Sequence, residues 1–422
     1  QGRRGQVPRH PGRHVRVIEQ QLRRAPSARE TESAAPVAFS EVIASRTAGS
    51  GPFGVYVHVP YCARRCGYCD FNTYTAAELG PGVSRDTFAA QAMAELDIAA
   101  GLLGGPRRVE TVFFGGGTPT LLPAADLVGI LRGIDRVWGL APDVEVTTEA
   151  NPDSVDTAYL AELRAGGFTR ISLGMQSAAP SVLATLDRSH TPGRAAAAVA
   201  EARVAGFEQV SLDLIYGTPG ETSAQWRDSL AAAVDAGVDH VSAYALTVEP
   251  GTAMGAAVAR GALSAPDPDV AAGRYEVADE VLTGAGLEWY EISNWARPGA
   301  QCRHNLGYWT PGADWWGVGP GAHSHLDGVR FWHLKHPRPY AAAVAAGTVP
   351  VAGWEVLDAQ SRRLESLMVS VRLRHGLAVA DCDPTVVREL VAEGLVTVPG
   401  DRVVPTVRGR LLADRVTLRL LG

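Results

Sequence analysis

Lysine is almost missing from this chain: Lys335 stands alone among 39 basic residues. With abundant Ala, Gly and Val, that bias has the look of a GC-rich genome and bears little on chemistry. Cysteine is scarce too, five in 422 residues, and an odd count in so long a chain argues against a disulfide framework. No run of about 18 apolar residues occurs, so no transmembrane helix is expected. No signal-peptide pattern is read, and the expected location is the reducing cytoplasm. A net charge of −6 argues against nucleic acid as the main partner. What remains is ordinary for a soluble globular protein, 46% hydrophobic and 20% charged, long enough for one large domain and a smaller one.

The few cysteines are not scattered. Three of the five fall in Cys62-Ala63-Arg64-Arg65-Cys66-Gly67-Tyr68-Cys69, the spacing CxxxCxxC. They follow a β-branched and aromatic run, 55–59, that reads as a strand ended by Pro60. Three thiolates on one loop can ligate three irons of a cubane [4Fe–4S] cluster and leave the fourth without a protein ligand. The alternatives are structural zinc, which wants four ligands and commonly a second Cys or His pair, and buried free thiols.

Residues 1–50 hold nine Arg against four acidic residues and read as a disordered Arg-rich tail. A transit peptide is an alternative, because the first 29 residues hold eight Arg and one Glu. From 51 to 250 strand-like and helix-like pieces alternate. The strands are expected at 55–59, 109–114, 144–148, 170–174, 209–215 and 240–246. Three helices end on Gly before a strand, in Arg164-Ala-Gly-Gly-Phe168, Arg203-Val-Ala-Gly-Phe207 and Asp235-Ala-Gly-Val238. Six βα units in a row argue for an α/β fold with a parallel sheet, curved or closed like a barrel. Residues 251–350 form an aromatic and His-rich extension. Residues 351–422 read as a small α+β domain of winged-helix type.

Ligands of parallel α/β folds bind at the C-terminal ends of the strands. Past the first strand lie the cysteines, past the second Gly115-Gly116-Gly117-Thr118-Pro119, and past the third Glu149. Gln176 follows the fourth strand and Asp213 lies in the fifth. Singly, each has a plain reading as a tight turn or a satisfied polar group. Together they place glycines, carboxylates and an amide on one rim. In the extension, six of nine tryptophans (Trp289, Trp295, Trp309, Trp315, Trp316 and Trp332) and five of eleven histidines (His304, His323, His325, His333 and His336) crowd together. A large planar ligand such as heme wants an imidazole or thiolate in an aromatic-lined pocket, which His304 and Cys302 could supply. Ordinary core packing is the competing account.

From Tyr56 to its end the chain resembles the coproporphyrinogen III dehydrogenase (HemN)/HemW group of the radical S-adenosylmethionine (SAM) superfamily. The resemblance implies a partial (β/α)6 barrel, a [4Fe–4S] cluster on Cys62, Cys66 and Cys69, and SAM chelated at the open iron. It implies SAM contacts at Tyr56, Tyr68, Gly116, Gly117, Thr118, Glu149, Gln176, Arg188 and Asp213; Thr247 matches a further contact position with an unexpected residue type. The dehydrogenase has another cysteine where Phe71 stands here. Cys302-Arg303-His304-Asn305-Leu306-Gly307-Tyr308-Trp309 resembles the heme-binding motif HNLxYW of the HemW branch. The expected role is therefore that of a heme chaperone carrying a cluster, SAM and heme. Its expected partners are a heme-accepting protein and an external electron donor, with homodimerisation and peripheral membrane contact left open. The alternative is an oxygen-independent coproporphyrinogen III oxidase, and enzymatic activity is left undecided.

Overall fold

The structure, a computed structural model, describes residues 36–45, 51–79, 83–104, 107–188, 190–191 and 193–421. Six parallel strands lie in sequential order: β1 (Phe53–Val59), β2 (Val109–Gly116), β3 (Leu140–Ala150), β4 (Arg170–Gln176), β5 (Gln209–Tyr216) and β6 (His240–Ala245). Their apolar positions are buried against connecting helices such as Phe88–Leu103, Ala124–Trp138 and Ser223–Asp235. The glycines expected to stop helices do so: Gly167, Gly206 and Gly237 have φ of 105°, 93° and 72°, a left-handed conformation that costs a glycine little.

The extension is not an appendage. It adds β7 (Glu288–Glu291) and β8 (Asn294–Ala296) beside β6, and β9 (Asp314–Val318), β10 (His323–Leu326) and β11 (Val329–His333) beyond β1. β9 is parallel to β1, with Trp315 opposite Gly54 and Gly317 opposite Tyr56. The boundary expected at 350 also moves, because β12 (Val351–Val356) is the outermost strand of this twelve-stranded sheet. Glu95, fully buried, ties helix Phe88–Leu103 to this half: it accepts from Gly319 N at 2.9 Å, Trp316 Nε1 at 3.3 Å and Tyr340 OH at 2.5 Å.

The remaining C-terminal residues build the small α+β unit, a three-stranded sheet with helices around a separate core that includes Val371, Leu390, Val403 and Val416. Arg410 fastens it to the barrel. Its guanidinium meets both Asp279 carboxylate oxygens at 2.8 and 2.7 Å and lies 4.3 Å over the Trp289 ring.

One expectation is corrected at the other end. Residues 36–44 of the supposed tail form helix Pro36–Ala44 and bury Phe39 and Ile43 in the main core. The Phe39 ring meets Phe331 edge-on at 4.9 Å. Two large apolar residues four apart on one helix face suffice to dock it, a signal the Arg-rich context hid. Residues 1–35 and 46–50 lie outside the described residues. Among the described residues no helix is long and apolar enough to cross a membrane.

Candidate functional site at the strand C-termini

The loop after β1 carries Cys62, Cys66 and Cys69, all free thiols and none fully buried. Backbone bonds fix it: Cys62 N donates to Tyr74 O at 3.0 Å, Gly67 N to Leu186 O at 3.1 Å, and Met254 N to Gly67 O at 2.8 Å. The three thiols line one side of a cavity of about 590 Å³. Among the described residues no group of three or more His, Cys, Asp and Glu side chains could hold a metal ion as it stands, so no closed zinc set is present. Three thiols on one loop lining open space supply the donor set that a cubane cluster takes, three irons ligated and the fourth left open.

The same cavity brings together Tyr68, Gly116, Gly117, Thr118, Glu149, Gln176, Arg188 and Asp213. Gly117 must be small, because a Cβ there would stand 2.4 Å from Tyr61 O. Glu149 accepts from Gly116 N at 3.1 Å, and burial, then the neighbouring Asp213, push its carboxyl up to about 8. Asp213 is raised by burial as well, although Ser172 Oγ lies 3.0 Å from each of its oxygens. Gln176 is held at φ 64°, sparsely populated for a residue with a side chain and common at ligand sites. Arg188 reaches from Gly174 O (3.2 Å) to Cys66 Sγ (3.5 Å), and so touches both halves of the site. Two carboxylates, a strand-end amide and accessible backbone form a wall for a cationic amino acid and a ribose.

Tyr56 is placed elsewhere. It lines a second cavity of about 250 Å³ with residues of all six parallel strands, among them Thr147, Ser172, Ser211 and Ser242, so the sheet curves around this chamber. Glu149, Asp213 and Tyr244 line both cavities. The Tyr56 hydroxyl lies 3.0 Å from His58 Nδ1, and His58 Nε2 lies 2.9 Å from Asn72 O on the cysteine loop. Sequence reasoning missed His58, Asn72 and Tyr244. For His58 and Tyr244 the signal was strand parity, since His58 shares a face with Tyr56 and Tyr244 with Ser242; Asn72, on a loop, carried none.

Cys302 and His304 also differ from expectation. Their helix, Arg303–Trp309, lies against the N-terminal part of β2 and β3, at the end opposite the cysteines. Glu145 caps it, accepting from Arg303 N and His304 N at 3.0 Å each, and the Cys302 thiol donates to the same carboxylate at 3.4 Å. Burial, then Glu145, raises that thiol far above its ordinary value. His304 is 3% exposed, its Nδ1 2.9 Å from Thr111 Oγ1 and its Nε2 2.9 Å from Tyr308 OH. Burial drops it to about 3. Neither side chain is open to a heme iron as it stands, because the helix is docked by its polar groups.

Three thiols on a strand-end loop share one open cavity with two carboxylates, an arrangement in keeping with a radical SAM protein, and the model of the Radical SAM superfamily matches residues 56–233. The heme chaperone HemW of Mycobacterium tuberculosis (strain CDC 1551 / Oshkosh) is 56% identical over 374 residues, 88% of this chain and 95% of that protein. HemW of Escherichia coli (strain K12) is 36% identical over 294 residues, 68% of this chain and 75% of that one. The chain belongs to the HemW family of radical SAM proteins. Coproporphyrinogen III oxidase (HemN) from Escherichia coli, a radical SAM enzyme, shares the fold with a TM-score of 0.78 at 23% identity, covering 95% of this chain and 98% of that one. Membership brings the superfamily's cofactors, a [4Fe–4S] cluster and SAM.

Proposed function

We propose that this protein binds heme and delivers it to an acceptor hemoprotein in the cytoplasm, with the cluster and SAM serving that transfer. The observation that carries the reading is 56% identity across 95% of a heme chaperone. Phe71 supports it, standing 62% exposed where the dehydrogenase has a further cysteine, as does the Cys302–Trp309 segment. Cys62, Cys66 and Cys69 would hold the cluster. Tyr68, Gly116, Gly117, Thr118, Glu149, Gln176, Arg188 and Asp213 would hold SAM, with Tyr56 supporting their wall from below through His58. The cluster supplies one electron at a time to SAM when both are bound, so an external electron donor is the second partner. Glu149 and Asp213 give the SAM ammonium and ribose hydroxyls their acceptors, and Arg188 offers a cation to its carboxylate.

The competing reading, oxygen-independent coproporphyrinogen III oxidase, has the shared fold in its favour. Anaerobically reconstituted protein separates the two. The chaperone reading expects stoichiometric heme binding with a Soret band, transfer of that heme to an apo-hemoprotein, and no conversion of coproporphyrinogen III. SAM-dependent formation of protoporphyrinogen would overturn it.

A further inference from the structure

We propose that His325, on β10, is the axial heme ligand and that His304 acts behind it as a positioning residue; this rests on the heme reading above. A heme iron needs a free lone pair on an imidazole nitrogen. His304 has none to offer, with Thr111 on one nitrogen and Tyr308 on the other. His333 is fully buried, its Nδ1 3.2 Å from Gly319 O and 3.5 Å from Glu95. His336 uses its Nδ1 as a helix cap, accepting from Arg338 N at 3.1 Å.

His325 has the geometry the others lack. Its Nδ1 lies 3.0 Å from Ala313 O, and a carbonyl can only accept, so Nδ1 carries the proton and Nε2 keeps the lone pair. Asp314 Oδ1, 3.7 Å from the same Nδ1, adds negative charge behind the ring. Metal-binding imidazoles are oriented this way: Nδ1–H held by a carbonyl or carboxylate, the other nitrogen presented outward. Nε2 of His325 has no partner among the described residues, and the side chain is 16% exposed. His323, two residues earlier and more exposed, stacks on Trp332 at 6.0 Å but has no carbonyl or carboxylate holding its ring among the described residues.

Alternation supplies the rest of the surface. Trp316, Ser324, Leu326, Val329 and Phe331 are buried on one face of β9–β11. Residues of the other parity therefore share the opposite face, where His325 pairs with Trp315 on one side and Arg330 on the other. The Trp315 ring lies 5.2 Å from that of His325. A flat indole beside an imidazole lone pair suits the plane and iron of a metalloporphyrin, while the Arg330 guanidinium is already paired with Glu355 and Glu365. His304 reaches this surface indirectly: it holds the Tyr308 hydroxyl, Tyr308 meets Trp315 edge-on at 4.9 Å, and Trp315 packs on His325.

The test titrates hemin into reconstituted full-length protein and follows the Soret band and the iron spin state by electron paramagnetic resonance. His325→Gly should lose the imidazole-ligated signature and about tenfold or more in affinity, and added imidazole should restore the signature. His325→Gln should lose it too, with cluster absorbance unchanged in both variants. His304→Ala and Tyr308→Phe should keep the signature and weaken affinity only about two- to fivefold. A wild-type signature in His325→Gly and His325→Gln, or a loss in His304→Ala that imidazole repairs, would overturn the assignment while leaving heme binding intact. Absence of hemin binding by the wild type would overturn the heme reading itself.

Discussion

Replacing Glu149 by Gln tests the electrostatics of the rim through a single atom. The folded carboxyl titrates at about 8, raised by burial first and Asp213 second, with the Gly116 N–H opposing. In the unfolded chain a glutamate titrates at about 4.3. Between those values the folded state holds a proton that the unfolded state has released. Stability therefore falls as pH rises from about 4.3 towards about 8, and levels off above. The steepest slope is about 1.4 kcal/mol per pH unit. Cavity water screens the charge and Asp213 shares the titration, so the accumulated penalty should be on the order of 2 kcal/mol by about pH 8. Gln keeps the shape and the bond from Gly116 N but cannot ionise. Urea unfolding of the SAM-free protein at about pH 5.5, 7 and 8.5 should show Glu149→Gln gaining on wild type as pH rises. Calorimetry should show the same variant losing about tenfold or more in SAM affinity. A stability difference that is flat with pH, or of the opposite sign, would refute the reasoning.

Three further outcomes are expected. Changing Cys62, Cys66 and Cys69 together to Ala should abolish iron–sulfur absorbance and leave the far-ultraviolet dichroism intact, because the loop sits on the rim; retention of iron in the triple variant would refute the assignment. Phe39→Ala should cost about 3 kcal/mol in urea unfolding, and a chain starting at 51 should be less stable than one starting at 36; equal midpoints would show that helix Pro36–Ala44 does not dock. Gln176→Gly should hold or raise the thermal midpoint, since a left-handed backbone costs a side-chain residue about 1 kcal/mol or more, while lowering SAM affinity; a lower midpoint with unchanged affinity would remove Gln176 from the site.

The six parallel strands were legible because each is followed by a helix of readable length and a glycine stop, which are local signals. The strands of the extension were not. β7 to β11 are three to five residues long, too short for alternation to stand out among Trp, His and Gly, and β9 owes its place to pairing with β1, far away in sequence. At the rim, cysteine spacing and the last polar residue of each strand were legible. The row beneath them, Thr147, Ser172, Ser211 and Ser242, went unread although it lines the chamber, two residues inward of Glu149, Asp213 and Tyr244 and four inward of Gln176. Parity-matched polar pairs such as Thr147 with Glu149 and Ser211 with Asp213 mark a chamber lined by polar groups.

The motif helix shows why residue type alone cannot assign a ligand. A histidine in a tryptophan-rich segment satisfies every compositional requirement for heme, and His304 and His325 satisfy them equally. What separates them is which nitrogen carries the proton and whether the other has a partner, and both depend on atoms distant in sequence. Thr111, far back in β2, closes one side of His304, and the Ala313 carbonyl opens one side of His325. The fold makes that choice through β9. Pairing with β1 turns Trp315 and Gly317 to the face of Gly54 and Tyr56, and the tight connection to β10 then sets His325 beside Trp315 with its Nδ1 against the backbone that precedes β9. Shifting β10 by one residue would bury both imidazoles where Ser324 and Leu326 now sit. The ligand-bearing face is therefore a property of strand register, and the motif helix contributes to it by holding Trp315 still.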